Sequence, residues 1–257
     1  MSSTGRGFRV ALLAALCAIG ALLASSAGAQ TVRFGNLIAT INGGIAPKKL
    51  PRKRPAPITL KLSGTLETAD KTHPPAIKQI YLEFDRNGHL NTKGLPTCKV
   101  GRLQSTLTSQ AKRACGAALI GSGRAEAEIA FPEQAPFSAG GPMLIFNGSK
   151  GNRQKLILHV YAKVPAPTTF VTTAKIGKGK GPYGISARVA VPTITSGQGS
   201  LIGFRSTIRK TFRHKGKKQS VLTATCKSGS LKARGDFLFS GGPKLSGTVT
   251  RSCRPTR

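Results

Sequence analysis

Ile77-Lys78-Gln79-Ile80-Tyr81-Leu82-Glu83-Phe84, followed by Asp85-Arg86-Asn87-Gly88, decides the fold class. Ile80, Leu82 and Phe84 fall on alternate positions, so an extended chain carries them on one face. The run stops at Asn-Gly, a pair favoured where both turn residues need positive φ. Ile58-Thr59-Leu60-Lys61-Leu62 alternates in the same way. So do 124–131, 143–146, 155–164, 168–176, 185–194, 200–212, 220–226, 230–239 and 244–250. Ser196-Gly197-Gln198-Gly199 reads as a hairpin turn between two of these runs. About ten or eleven short strands, punctuated by Gly and Pro, predict an all-β fold, specifically an antiparallel β-sandwich.

One segment has a different period. Val100, Leu103, Leu107 and Ala111 recur at helical spacing, predicting one short helix between Val100 and Ala111, bracketed by Cys98 and Cys115. The N-terminus adds a separate signal. Arg6 and Arg9 precede an apolar run from Val10 to Leu23, and Ala27-Gly28-Ala29 follows as a small-residue cleavage site. Residues 1–29 are therefore expected to be a secretory signal peptide, with the exported chain starting at Gln30. The apolar run is shorter than the roughly 20 residues of a spanning helix. Leu16 before Cys17 does not suit lipidation. No later stretch reads as a transmembrane helix, so the mature chain is expected to be secreted, soluble or peripherally bound at the cell surface.

Cleavage would leave Cys98, Cys115, Cys226 and Cys253. An even count in an exported chain reads as a disulfide framework. Of the three connectivities, the two sequence-near pairs are favoured, Cys98 with Cys115 and Cys226 with Cys253. Residues 30–57 are read as a disordered lead-in, because prolines alternate there with Lys48, Lys49, Arg52, Lys53 and Arg54. Residues 58–257 are read as a single domain.

Gly94-Leu95-Pro96-Thr97-Cys98, then Ala114-Cys115-Gly116 and Ile120-Gly121-Ser122-Gly123-Arg124-Ala125, resemble a pattern found in a family of secreted, disulfide-bonded actinobacterial β-proteins. Ala224-Thr225-Cys226 with Gly229-Ser230-Leu231 is similar to the later cysteine-bearing hairpin of that group. The resemblance implies a secreted β protein with disulfides and carries no activity with it.

The chain contains 40 Lys and Arg against 8 Asp and Glu, and removing Arg6 and Arg9 leaves a net charge of +30. Between Glu133 and Asp236 there are 18 bases and no acid. Such an excess attracts polyanions. The densest run is Arg205 to Lys218, read as one long strand with Arg205, Arg209, Arg213 and Lys215 on a single face and Lys217-Lys218 at a hairpin tip. That ridge is the expected polyanion site, for anionic lipids or wall phosphate polymers. Lys48, Lys49, Arg52, Lys53 and Arg54 form a secondary basic site. With no Trp and three Tyr, the chain lacks a base-stacking platform, which argues against sequence-specific nucleic-acid binding.

Catalytic chemistry is thinly supplied. His73, His89, His159 and His214 are scattered, and His159 reads as a face residue of a strand. Glu67 with Asp70, Glu83 with Asp85, and Glu126 with Glu128 are the close carboxylate pairs. Paired carboxylates can serve acid–base chemistry or calcium, but Glu83 and Asp85 are expected on a solvated outer face. Gly177-Lys178-Gly179-Lys180-Gly181 lacks the Ser/Thr of a P-loop, and no G-x-S-x-G elbow occurs. Neither a metal, a cofactor nor an enzymatic centre is expected. The leading expectation is a non-catalytic protein associating with the cell envelope through its basic surface. A carrier of a lipid or other apolar ligand within the β fold is the alternative, which a large apolar cavity would favour. A secreted hydrolase comes third.

Overall fold

A computed structural model describes residues 29–257. Twelve strands form one antiparallel sheet: β1 Gln30–Phe34, β2 Leu37–Ala46, β3 Thr59–Thr68, β4 Ile77–Asp85, β5 Leu119–Ile129 and β6 Phe137–Asn147, then β7 Lys155–Ala162, β8 Thr168–Lys178, β9 Tyr183–Ala190, β10 Gly199–Ile208, β11 Ser230–Phe239 and β12 Lys244–Ser252. Their order across the sheet is β1-β2-β3-β10-β5-β6-β7-β8-β9-β4-β11-β12. Strands β5 to β9 form a meander, and the remaining strands extend it on both sides. The all-β antiparallel expectation holds, with the strands in a single sheet that curls almost into a barrel.

The two edges meet without backbone pairing. A Cβ on Gly247 of β12 would lie 2.9 Å from Ile41 and 3.0 Å from Val32, so a residue without a side chain lets the edges approach. Arg251 then bridges the seam, donating from Nε to the Gly43 carbonyl and from Nη2 to Asn42 Oδ1 at 2.6 Å. Curl elsewhere also depends on small residues. A Cβ on Gly121, in the Ile120–Ala125 motif, would sit 2.6 Å from the Thr207 carbonyl of the neighbouring strand.

Residues 30–57 correct the expectation of a disordered lead-in. Gln30–Phe34 and Leu37–Ala46 are barrel strands, because Leu37, Ala39 and Ile41 alternate inward and pack with Leu66, Ile80 and Phe237. Even the proline-rich part is held. Lys49–Pro51 pairs in parallel with Arg254–Thr256, and Ala56–Pro57 pairs with Leu222–Ala224. Proline suits such short edge ladders, where few backbone N–H groups must be satisfied. The signal-peptide reading of 1–29 falls almost wholly outside the described residues.

Both expected disulfides are present, with Cα separations of 5.6 Å for Cys98–Cys115 and 6.0 Å for Cys226–Cys253. The helix inside the first loop is displaced from its expected position. Val100–Arg102 makes one 3-10 turn, and the α-helix, α1, spans Thr108–Cys115. Ser105 takes φ +53 between them, which no helix continues through. Leu103 is therefore buried while Leu107 is exposed, and the Gln110 side chain accepts the Leu107 N–H at 2.8 Å to start α1. This loop lies on the outer face of β6 and β7, covering Leu144, Phe146 and Ile157.

Two turns also differ from expectation. Asn87 and Gly88 keep negative φ, because the Asp85 carboxylate accepts the Asn87 N–H at 2.9 Å and closes the turn by a side chain. The 196–199 segment does make a tight reversal, bridging Ile194 to Gly199 antiparallel, but it does not join two paired sheet strands, since β9 pairs with β8 and β4, whereas β10 pairs with β3 and β5. The segment instead crosses the open end of the barrel.

Candidate functional site

The inward positions of the sheet carry hydrocarbon almost throughout. On β7 they are Leu156, Leu158, Val160 and Ala162, and on β4 they are Ile80, Leu82 and Phe84. Between these walls lies a cavity of about 630 Å³. It extends from Leu156 to Ala162, about 20 Å of strand at 3.4 Å per residue. Small residues make the room. Ala125, Ala127, Ala139, Ala174 and Ala187 occupy inward positions where larger side chains would take up that space. Polar residues are a minority of the lining: Asp85, His89, Glu126, Lys232 and Arg251 border the cavity, as do Ser206, Thr168 and Thr172. Thr172 is satisfied by donating to the Ala190 carbonyl at 2.7 Å.

The two ends differ. At one, a three-stranded sheet of Ala56–Pro57, Leu222–Ala224 and Gly88–Leu90 plugs the barrel. Leu95, Ile120 and Val221 pack beneath that plug, and Leu50, Ile58 and Leu231 pack around the Cys226–Cys253 bridge beside it. At the other end the cavity is bordered by Val164-Pro165-Ala166 and by Pro192-Thr193-Ile194-Thr195. Val164 is 52% exposed, so the cavity wall continues to the surface there. This end is the mouth.

The sequence-predicted basic ridge is rearranged. The long strand breaks at Arg209-Lys210, and Thr211–His214 turns back on Lys217–Ser220. The tip is Lys215-Gly216, both with positive φ, in place of Lys217-Lys218. Phe212 anchors this hairpin in the plug, and the Asn91 amide donates to Gln219 at 2.6 Å. Arg205, Arg209, Arg213, Lys215, Lys217 and Lys218 are all exposed, but the strand break at Arg209-Lys210 separates Arg205 from the bases of the hairpin. Lys48, Lys49, Arg52, Lys53 and Arg54 are exposed at the same plugged end.

The carboxylate pairs are engaged in structure. Glu83 is buried, correcting its expected solvated position, because the 180 loop folds over it. Its carboxylate accepts from the Lys180 N–H at 3.0 Å and from the Tyr81 hydroxyl at 3.2 Å. Asp85 accepts the Lys232 N–H at 3.0 Å. Glu126 pairs with Arg124 and Glu128 with His73, each at 2.8 Å, and Glu67 pairs with Lys71 at 2.8 Å. Partial burial opposes ionisation of Asp236, but bonds from Ser246, Arg234 and Lys244 hold its carboxyl below the usual range. Among the described residues no three His, Cys, Asp or Glu side chains gather as a metal site.

His159 is fully buried beneath the Cys98–Cys115 loop. Its Nε2–H donates to the Thr106 carbonyl at 2.9 Å, while Nδ1 has no hydrogen-bond partner. Burial pushes its pKa below the ordinary histidine value, against the opposing effect of the Thr106 bond.

The cavity itself was not identifiable as a site from any one residue. Its signal is the recurrence of alanine at inward positions on neighbouring strands, which becomes meaningful only once strand order is known. No family model, curated protein or solved structure matches the chain, so function rests on the site alone.

Proposed function

We propose that this chain is a secreted, non-catalytic binding protein that holds an apolar ligand inside its barrel. The observation that carries this reading is the cavity of about 630 Å³, walled by aliphatic side chains and reaching the surface at one end. Small-molecule sites commonly occupy roughly 300–1,000 Å³ and are mostly apolar with a few polar groups. Barrels of eight strands can already hold one small ligand, and diameter grows with strand number. Twelve strands leave correspondingly more room, even with the plug filling one end. The ligand class that fits is elongated and hydrocarbon-rich, such as an acyl chain, because the cavity follows the strands and offers little hydrogen bonding.

Two disulfides support an oxidising, extracytoplasmic location. N-terminal sequencing of the exported protein should begin at Gln30. The binding reading is tested with the purified protein and an apolar fluorophore that brightens in hydrocarbon surroundings. Saturable binding displaced by long-chain fatty acids is expected. Failure of every such probe to bind overturns the proposal.

A further inference from the structure

The charges of this chain are sorted between the two ends of the barrel. At the plugged end the connections are residues 47–58, 86–97, 148–154, 179–182 and 209–229, together with 253–257. They carry five, two, two, one, seven and two Lys or Arg, nineteen in all, and no Asp or Glu. All but Lys210 are exposed. None of the five ion pairs among the described residues uses any of them. At the mouth the connections are 35–36, 69–76, 130–136, 163–167, 191–198 and 240–243. They carry Lys71 and Lys163 against Asp70 and Glu133.

We propose that the plugged end is a docking face for an anionic phospholipid bilayer, with the mouth turned away from it. Three observations favour a bilayer over another polyanion. The bases come from five connections and the 253–257 segment, so they spread over the end of the barrel and do not follow one groove, as a nucleic-acid strand would require. The chain has no Trp, and its three Tyr sit in β4, β7 and β9, so no aromatic platform accompanies the charge. No Asp or Glu interrupts these segments, so the face is positive throughout, as a plane of anionic headgroups requires. Screening limits useful attraction to about 8 Å at physiological salt, so the bases that touch the surface are the ones that count.

The orientation also separates docking from loading. A barrel bound by its plug presents the mouth, bordered by Val164 and Pro192–Thr195, to a second partner or to solution. Ligand would exchange there and not with the bilayer underneath. This step rests on the ligand-binding reading, whereas the docking face does not.

The test uses the mature protein in co-sedimentation with vesicles of phosphatidylcholine alone or with added phosphatidylglycerol, at low and high salt. Binding to the anionic vesicles only, weakening steeply with salt, is expected. Neutralising Arg54, Arg213, Lys217 and Lys218 together to Gln should cost several-hundredfold in affinity, at about fivefold per base. Neutralising Lys71 and Lys163 to Gln at the mouth should leave affinity within about twofold. Because the chain lacks Trp, Ser228→Trp and Val164→Trp each place a single reporter, one at either end. Quenchers in the lipid headgroups should dim the first and spare the second. No binding at low salt, preferential quenching of the Val164→Trp reporter, or equal displacement by duplex DNA at matched phosphate would each overturn the proposal. Probe binding without vesicles reports on the cavity separately, so the two readings can fail independently.

Discussion

Replacing Ala187 by leucine gives opposite results according to whether the barrel is hollow. Ala187 sits on β9 between Ile176 and Leu82 in register, is 7% exposed, and faces the cavity. Leucine adds three methylene-sized groups. If all three enter space that no protein atom occupies, they contribute about 0.8 kcal/mol each, or about 2.4 kcal/mol together. In a domain of this size each kcal/mol raises Tm by about 2–4 °C, so thermal unfolding of Ala187→Leu should shift upward by about 5–10 °C. In a filled interior the same change would overpack and cost about 1–3 kcal/mol, lowering Tm. The leucine also takes volume from the ligand, so affinity for an apolar fluorophore should fall as stability rises. Calorimetry and probe titration on the same preparation decide the matter. A lower Tm with unchanged probe binding would refute the hollow barrel.

Three further changes address other parts of the architecture. Replacing Cys98 and Cys115 with serine should cost about 3 kcal/mol by releasing the loop they close, and limited proteolysis should then cut first within 99–114. Arg251→Leu removes the guanidinium bonds to Gly43 and Asn42 and should cost about 2 kcal/mol, with faster hydrogen exchange confined to the seam strands β2 and β12. His159 is held neutral by burial, so its folded pKa lies below the unfolded value near 6.5. The unfolded chain therefore takes up the proton first, and stability should fall as pH drops from about 6.5 through the folded pKa. His159→Gln should flatten that slope and leave the acid loss below about pH 4 from Asp70, Asp236 and Glu67, whose carboxyls are held low.

The fold class was legible because strand alternation is local. Ile80, Leu82 and Phe84 face inward as their spacing requires, and the same holds for Leu156, Leu158 and Val160. The disulfide pairs were legible for a similar reason, since each joins cysteines separated by few elements. Residues 30–57 misled because proline and like charges were weighed without the partner strands. Leu37, Ala39 and Ile41 alternate as clearly as any run, but they precede the basic segment and were grouped with it. The ridge from Arg205 to Lys218 misled because period alone cannot reveal a strand break. The ladder with β5 runs one residue past Ile208, the Arg209 N–H donating to the Ile120 carbonyl at 2.9 Å, and the chain leaves the sheet after it at Lys210. Burial of Glu83 was invisible because its cover, the 180 loop, comes from nearly a hundred residues downstream.

Size is the strongest argument that the cavity is maintained and is not a packing fault. Cavities in protein cores cost about 24 cal/mol per Å³ relative to a filled interior, so about 630 Å³ represents about 15 kcal/mol of stabilisation forgone. That equals the upper range of the net stability of an ordinary domain, about 5–15 kcal/mol. A chain can fold around such a space only if its apolar contacts are made around and beyond it, and four clusters make them. Leu37, Leu66, Phe237 and Phe239 pack between β2, β3, β4, β11 and β12 to one side of the cavity. Leu95, Ile120 and Val221 seal the end beneath the plug, and Leu50, Ile58 and Leu231 surround Cys226–Cys253. Leu103, Phe146 and Ile157 pack outside the wall under the Cys98–Cys115 loop. Each disulfide belongs to one of these clusters, and neither reaches into the cavity. Strands β6 and β7 are thereby supported from outside and, through Met143, Ile145 and Leu156, by the cluster at the plugged end. Stability comes from the plug, the flank and the outer loop, and the space at the centre remains, as the proposed binding role requires.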